Sequence, residues 1–395
     1  MKPASPLKNH AGIAARMAKI QPFHVMEMME RARQLEAGGH SIIHMEIGQP
    51  DFGAPPQVIA QAVRAMQSDP LGYTTTLGLP ALREAIAGHY ARQYGVTVSP
   101  QRIAVTAGAS GAFVIALGVL VDPGDEVVMP DPCYSCNPNF VRMFDGIPVF
   151  MPVDEASSYQ PVLADVQRCW TPRTRGVLLA SPSNPTGTLM ARQEVRAIAD
   201  WVHAQGGFVI MDEIYQGLVY DQAWTTAASE SADIWVINSF SKYFGMTGWR
   251  LGWMLVPECR MPEVEKLAQN AFICPPAPAQ QAALAAFRND TLEVLERRRI
   301  ELQRRRDFLV PALEGLGFRI ASRPAGAFYV YAGCQAFGED SSVLAMAILE
   351  QLGVAITPGV DFGSHRASQH VRFAYTRSML ELEEGMARLS RLRLR

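Results

Sequence analysis

Between residues 102 and 238 the chain carries six short apolar runs: Arg102–Thr106, Glu126–Met129, Ile147–Val153, Gly176–Ala180, Phe208–Met211 and Ile234–Asn238. Helix-patterned stretches such as Pro80–Tyr94 and Arg192–Ala204 precede or separate them. Continuous apolar strands joined through helices predict a mainly parallel sheet covered on both faces. Such sheets take their ligands beyond the carboxyl ends of their strands, so the loops after these runs are where chemistry is expected.

The stretch Ile103–Val121 has no charge and approaches the length of a membrane span, yet it contains Thr106, Gly108, Ser110, Gly111 and Gly118. It reads as a buried strand, a tight turn and a buried helix. Lys2, Lys8, Arg16 and Lys19 have no apolar core between them, which does not fit a signal peptide. A soluble, cytoplasmic protein is expected.

After about Ala285 the texture changes. A helix is predicted over roughly Thr291–Leu313, with two arginine triplets, Arg297–Arg299 and Arg304–Arg306, and with Gly315 and Gly317 to stop it. Each triplet covers most of one turn, so a solvated helix is expected rather than one anion-binding face. Short strands near Phe318–Ala321, Phe328–Tyr331 and His370–Ala374, with helices near Ser341–Leu352 and Met379–Leu394, read as a smaller α+β domain.

Thirty-six basic residues balance 38 acidic ones, which gives no sign of a nucleic-acid or strongly charged partner. Only five of the basic residues are lysines: Lys2, Lys8, Lys19, Lys242 and Lys266. A lysine kept inside an arginine-biased chain points to amine chemistry there, since arginine cannot supply a neutral amine. Cys133 and Cys136 have C-x-x-C spacing but no second pair, and zinc normally needs four ligands.

Four strand-end loops carry candidate chemistry. Ser239-Phe240-Ser241-Lys242, followed by Gly245, Gly248 and Arg250, offers two hydroxyls and a guanidinium for a phosphate. Its lysine could form a Schiff base with a carbonyl cofactor. Asp212, in Met211-Asp212-Glu213-Ile214-Tyr215, could bind a metal, act as a base, pair with a protonated ring nitrogen or merely cap the next helix. No clustered His or Cys ligands accompany it to favour a metal. In Ser181–Gly187 two prolines and a glycine fix a turn that would present Asn184. Ala107–Gly111 is small enough for backbone N–H groups to approach an anion at a helix N-terminus, but it matches neither common nucleotide motif.

Together these loops resemble the class I/II aminotransferases, the aspartate aminotransferase-like enzymes of the pyridoxal-phosphate-dependent transferase fold. The match also takes in Ile47–Phe52, Gly72-Tyr73, Pro80–Ile86, Pro324–Tyr329, Pro358–Gly363 and Val371–Tyr375. The resemblance implies an α/β large domain, residues 46–289, with a mainly parallel seven-stranded sheet sandwiched by helices. A smaller α+β domain would comprise residues 1–45, with an N-terminal arm, and 290–395. It implies a transaminase that moves an amino group between an L-amino acid and a 2-oxo acid.

It also implies the roles. Lys242 would hold pyridoxal 5'-phosphate as an aldimine and act as the base, and Asp212 would pair with the ring nitrogen. Asn184 and Tyr215 would bond the ring oxygen, and Tyr134 would stack on the ring. The phosphate would sit among the Ala109 and Ser110 amides, Ser239, Ser241 and Arg250. Tyr73 would reach the phosphate of a neighbouring subunit, which implies a homodimer with shared sites. Arg372 would clamp the substrate α-carboxylate, helped by Asn184 and the Gly48 backbone.

Acidic-substrate members of the nearest subgroup carry a cation where Ser110 stands here, and the segment Ala271–Ala277 is apolar. Both favour neutral or aromatic donors unless Arg16 compensates, and a surface position is the default expectation for Arg16. A carbon–sulfur β-lyase of the same fold would reuse the cofactor residues and is the alternative reading. A ligand-sensing regulator of this fold would need a DNA-binding module, and about 45 residues precede the Gly48 motif.

Overall fold

The computed structural model describes residues 12–20 and 24–392. Lys2 and Lys8 of the N-terminal arm and the end of the expected Met379–Leu394 helix lie outside the described residues. Seven strands form one sheet, from edge to edge Ile103–Thr106, Gly252–Leu255, Trp235–Ser239, Phe208–Asp212, Thr174–Ala180, Glu126–Asp131 and Ile147–Pro152. Only Gly252–Leu255 runs antiparallel to its neighbours. It is also the strand that the apolar runs did not reveal, because its four residues follow a glycine-bearing loop and open on a glycine.

The direction of that strand matters to the site. Gly252 pairs with both Thr106 and Ser239, the last residues of their strands. Its amino end, with Arg250 just before it, therefore lies at the same edge as the carboxyl ends of the six parallel strands. Helices cover both faces, among them Gly108–Leu120 and Arg192–Ala204. Gly108–Leu120 is apolar nearly all round, as a buried helix must be. The uncharged Ile103–Val121 stretch thus folds as strand, turn and helix, and no helix among the described residues is long and apolar enough to cross a membrane.

A second, antiparallel sheet joins Thr357–Pro358, His370–Ala374 and Tyr329–Gly333. Ile43–His44 pairs in parallel with Val354–Ala355, and Ala374 N donates to Met45 O at 2.7 Å. This stitches residues 43–48 along the second sheet and brings Glu46 and Gly48 beside Arg372. Phe318–Ala321 is not a strand; it contributes a single bridge, Arg319 to Gly333. The last helix is Met379–Leu389, closed early by Ser390.

The long helix spans Asn289–Leu316, passes through Gly315 and stops at Gly317, which takes a left-handed φ of 103°. The expectation that its arginines are solvated holds for Arg304 and fails for the next two. Arg305 and Arg306 are buried, at 3% and 1% exposure. Arg305 forks onto the Asp51 carboxylate at 2.9 and 3.0 Å, and Arg306 donates to Pro324 O and to Asp221. Spacing alone could not show this, because the Asp221 and Asp51 carboxylates come from loops 85 and 254 residues away in the chain.

Candidate active site

A cleft of about 280 Å³ opens at the carboxyl edge of the large sheet, closed from the other side by the second sheet. Gly48, Ala109, Ser110, Tyr134, Asn184, Asp212, Tyr215, Ser239, Ser241, Lys242, Arg250 and Arg372 all line it. Tyr73 does not: it stands 85% exposed. Arg16 is also elsewhere, donating to Met143 O at 2.8 Å beside Asp145. The apolar segment Ala271–Ala277 contributes nothing to the cleft wall, and Phe272 and Ile273 in it are exposed.

One end of the cleft is built for an anion. The first amides of helix Gly108–Leu120 have no intrahelical acceptor and carry the positive end of the helix dipole. Ser239 Oγ lies 2.9 Å from Ser241 Oγ, and Thr247 Oγ1 donates to Ser241 O. Arg250, in a left-handed conformation, is anchored by Nη1 to Thr247 O at 3.1 Å. Glycines make this approach possible: a Cβ on Gly108 would lie 2.6 Å from Arg250 Nη2, and one on Gly252 would lie 2.7 Å from the Gly108 carbonyl carbon.

Lys242 and Asp212 lie in the floor. Lys242 Nζ donates to Gly48 O at 2.8 Å. Burial, Arg372 and Arg250 bring its pKa down to about 8, against the opposing pull of Asp212. About a tenth is therefore neutral amine at pH 7, far more than an ordinary lysine offers a nucleophile or base role. Asp212 ends its strand and accepts from Ile214 N at 3.0 Å, so it caps its own turn and not a helix. Burial pushes its carboxyl up to about 7, against the Ile214 hydrogen bond and the Lys242 charge. Among the described residues no ion pair engages it.

At the other end Arg372 is buried between rings, its guanidinium 4.2 Å from the centroid of Tyr329 and 4.6 Å from that of Phe362. Nη1 donates to Asn184 Oδ1 at 2.9 Å and Nη2 to Glu46 O at 2.7 Å, while Nε is buried without a partner. Tyr329 OH is 3.0 Å from Tyr215 OH. Sequence reasoning did not assign roles to Tyr329, Phe362 or Thr357 at the guanidinium, or to Val25 and Met29 on the wall. Tyr329 and Phe362 fall within the Pro324–Tyr329 and Pro358–Gly363 segments, whose local sequence does not show that they meet at Arg372.

Pyridoxal phosphate fits what is present. It has a phosphate for the anion cup, a carbonyl for Lys242, a basic ring nitrogen for a buried carboxylate without an ion-pair partner among the described residues, and a ring oxygen for Tyr215 and Asn184. The unpartnered Arg372 Nε leaves hydrogen-bonding capacity for a carboxylate beside it. Among the described residues no cluster of His, Cys, Asp and Glu is suited to a metal ion. Cys133 is buried, and burial pushes both its thiol and that of Cys136 up, the latter to about 11, away from reactive thiolate.

The chain matches the family described as aminotransferase class I and II over residues 40–389. It is 38% identical over 377 residues to a valine–pyruvate aminotransferase of Mycobacterium tuberculosis, covering 94% of this chain and 96% of that protein. It is 33% identical over 393 residues to an aspartate aminotransferase of Geobacillus stearothermophilus, covering 96% and 98%. Its fold is similar to the crystal structure of an aminotransferase from Mycobacterium tuberculosis, with a TM-score of 0.93 at 38% identity over 96% of this chain and 98% of that one.

Proposed function

The chain belongs to the class I and II aminotransferases, and from that premise we propose that it moves the amino group of a neutral L-amino acid to a 2-oxo acid with pyridoxal phosphate in this cleft. Its transaminase activity follows from the family; the carbon–sulfur lyase alternative is not favoured. The observation that carries the site assignment is the convergence of Lys242, Asp212 and Arg250 on one sheet edge with Arg372 facing them.

When bound, the cofactor supplies a carbonyl that captures an amine and a ring that draws electrons from the substrate α-carbon. The residues do the rest. Arg250, Ser239, Ser241 and the Ala109 and Ser110 amides hold the phosphate. Tyr134 covers a ring face and excludes water, and Asn184 and Tyr215 hold the ring oxygen. Asp212 keeps a proton on the ring nitrogen. Arg372, with Asn184 and the Gly48 backbone, binds the α-carboxylate and orients the α-C–H bond. Lys242 would hold the cofactor's carbonyl end, and its neutral amine would take and return the α-proton.

The donor preference rests on a charge count. Among the described residues Lys242, Arg250 and Arg372 are the cations lining the cleft, and each has a role, while Glu46 and Asp361 add acids besides Asp212. Val25, Met29, Phe113, Phe140 and Phe362 make the wall apolar. The name of the valine–pyruvate relative agrees with a neutral donor, and that of the aspartate relative does not. The test is kcat/KM for aspartate, alanine, leucine and phenylalanine with 2-oxoglutarate or pyruvate as acceptor. Leucine and phenylalanine should equal or exceed aspartate; a hundredfold lead for aspartate would overturn the preference. Arg372→Ala should lower kcat/KM for every donor by roughly 10²–10³-fold, the cost of leaving a buried charged group unpaired.

We also propose a homodimer with shared sites. Tyr73 is far too exposed to serve its own cleft and is taken to reach the phosphate in a partner subunit. Tyr73→Phe should weaken cofactor retention about tenfold, as the loss of one hydrogen bond to a charged group does. Mixing Tyr73→Phe and Lys242→Ala subunits should restore one intact site per heterodimer. Retention unchanged in the variant, or a monomer in sedimentation, would refute this.

A further inference from the structure

Tyr329 opens the strand Tyr329–Gly333, next to Phe328, and both rings pack edge-on against Tyr215, with centroids 5.8 and 5.3 Å away. The ring under Arg372 would need no hydroxyl to stack, and phenylalanine would fill that place. The hydroxyl nevertheless sits 3.0 Å from Tyr215 OH, and both residues are buried. The backbone closes over it: a Cβ on Gly48 would fall 2.1 Å from that oxygen. The same Gly48 accepts from Lys242 Nζ. The Tyr329 oxygen is therefore wedged among the substrate guanidinium, the Gly48 backbone and Tyr215, with no freedom to turn to solvent.

We propose that Tyr329 is a positioning residue for transamination: its hydroxyl donates to the Tyr215 oxygen and so commits Tyr215's own proton to the cofactor's ring oxygen. The inference rests on the reading of the cleft as a pyridoxal phosphate site. Two observations fix the direction of the bond. If Tyr215 donated to Tyr329, the Tyr329 proton would need another acceptor, and among the described residues Tyr215 is the one hydrogen-bond partner of that hydroxyl. The Arg372 guanidinium favours the charged form of both phenols, but it stacks directly on the Tyr329 ring, so Tyr329 is the better donor of the two. Burial raises both phenols, and Tyr215 the further. A hydroxyl that accepts one hydrogen bond becomes a stronger donor in the next, so the pair acts as a relay of polarisation from Arg372 to the ring oxygen.

The consequence is readable without turnover. A hydrogen bond given to the ring oxygen favours the form in which that oxygen is charged, and so lowers the pH at which the bound cofactor loses its proton. Tyr329→Phe keeps the ring and removes the donor. In the holoenzyme the pH midpoint of the cofactor's visible absorption should rise, by roughly two- to tenfold in proton affinity or about 0.3–1 pH unit. The other groups facing the pair, Arg372, Arg250, Lys242, Asp212, Glu46 and Tyr134, are unchanged by the substitution. KM for the amino donor should stay within about twofold, because the guanidinium keeps its ring and its hydrogen bonds. In a Tyr215→Phe background the same substitution should produce no further shift, since the effect passes through Tyr215. A midpoint unmoved in Tyr329→Phe, or a shift equally large without the Tyr215 hydroxyl, overturns the inference alone. A wild-type protein that takes up pyridoxal phosphate with no visible band overturns the reading beneath it as well.

Discussion

Lys242→Ala should lower transamination by about 10⁴-fold or more while the protein still binds the cofactor through its phosphate cup. Removing a positioned base from proton transfer alone costs about 10²–10⁴-fold, and the covalent anchor is lost with it. Borohydride treatment of the wild-type holoenzyme followed by mass spectrometry should place the cofactor's mass on Lys242. A label on Lys266, or none, would show the assignment to be wrong. A second measurement tests the environment. The attacking form is the neutral amine, and the pKa of Lys242 is about 8. Uptake of pyridoxal phosphate by the empty protein should therefore accelerate about tenfold per pH unit below about 8 and level off above it. A break near 10 would mean that Arg372, Arg250 and burial do not act on the amine as described.

The strands and the strand-end loops were legible because each is a local pattern: an apolar run, then a polar turn. Six of the seven strands of the large sheet follow from that pattern, and the meeting of their loops at one sheet edge follows from parallel topology. Gly252–Leu255 was not legible. It is buried between the strand just before it, Trp235–Ser239, and the distant Ile103–Thr106, and its own sequence reads as the tail of the loop before it. The buried arginines Arg305 and Arg306 escaped for the same reason: a helix pattern tells which way a side chain points, not whether Asp51 or Asp221 is there to meet it. At the site, Lys242, Asp212 and Arg250 could be read from one edge. The cage around Arg372 could not, because Glu46, Asn184 and the pair Thr357 and Phe362 come from three separated stretches.

Asp212→Asn should separate function from stability, losing the first and gaining the second. A carboxylate beside the cofactor's ring nitrogen favours the protonated nitrogen, and the protonated ring is what accepts charge from the substrate carbon. Without that charge the rate should fall by at least about 10³-fold, equivalent to roughly 4 kcal/mol of barrier. Asp212→Glu should be much milder. In the empty protein the same carboxylate is a burden. It keeps its proton in the folded state up to about pH 7, whereas its ordinary value is 3.8. Between those pH values the native state holds a proton that the unfolded chain has lost, so the contribution of this group to stability falls as pH rises from about 4 to about 7. Asparagine has no such proton to lose. The variant and the wild type should therefore be equally stable near pH 4, and above pH 7 the empty variant should be the more stable by roughly 2–4 kcal/mol. Urea unfolding of cofactor-free protein at pH 5 and pH 8 measures the difference. Activity of Asp212→Asn within tenfold of wild type would remove Asp212 from the mechanism. Equal stability at pH 8 would mean that a counter-charge already compensates Asp212, and that the cleft is not waiting for a cationic ring.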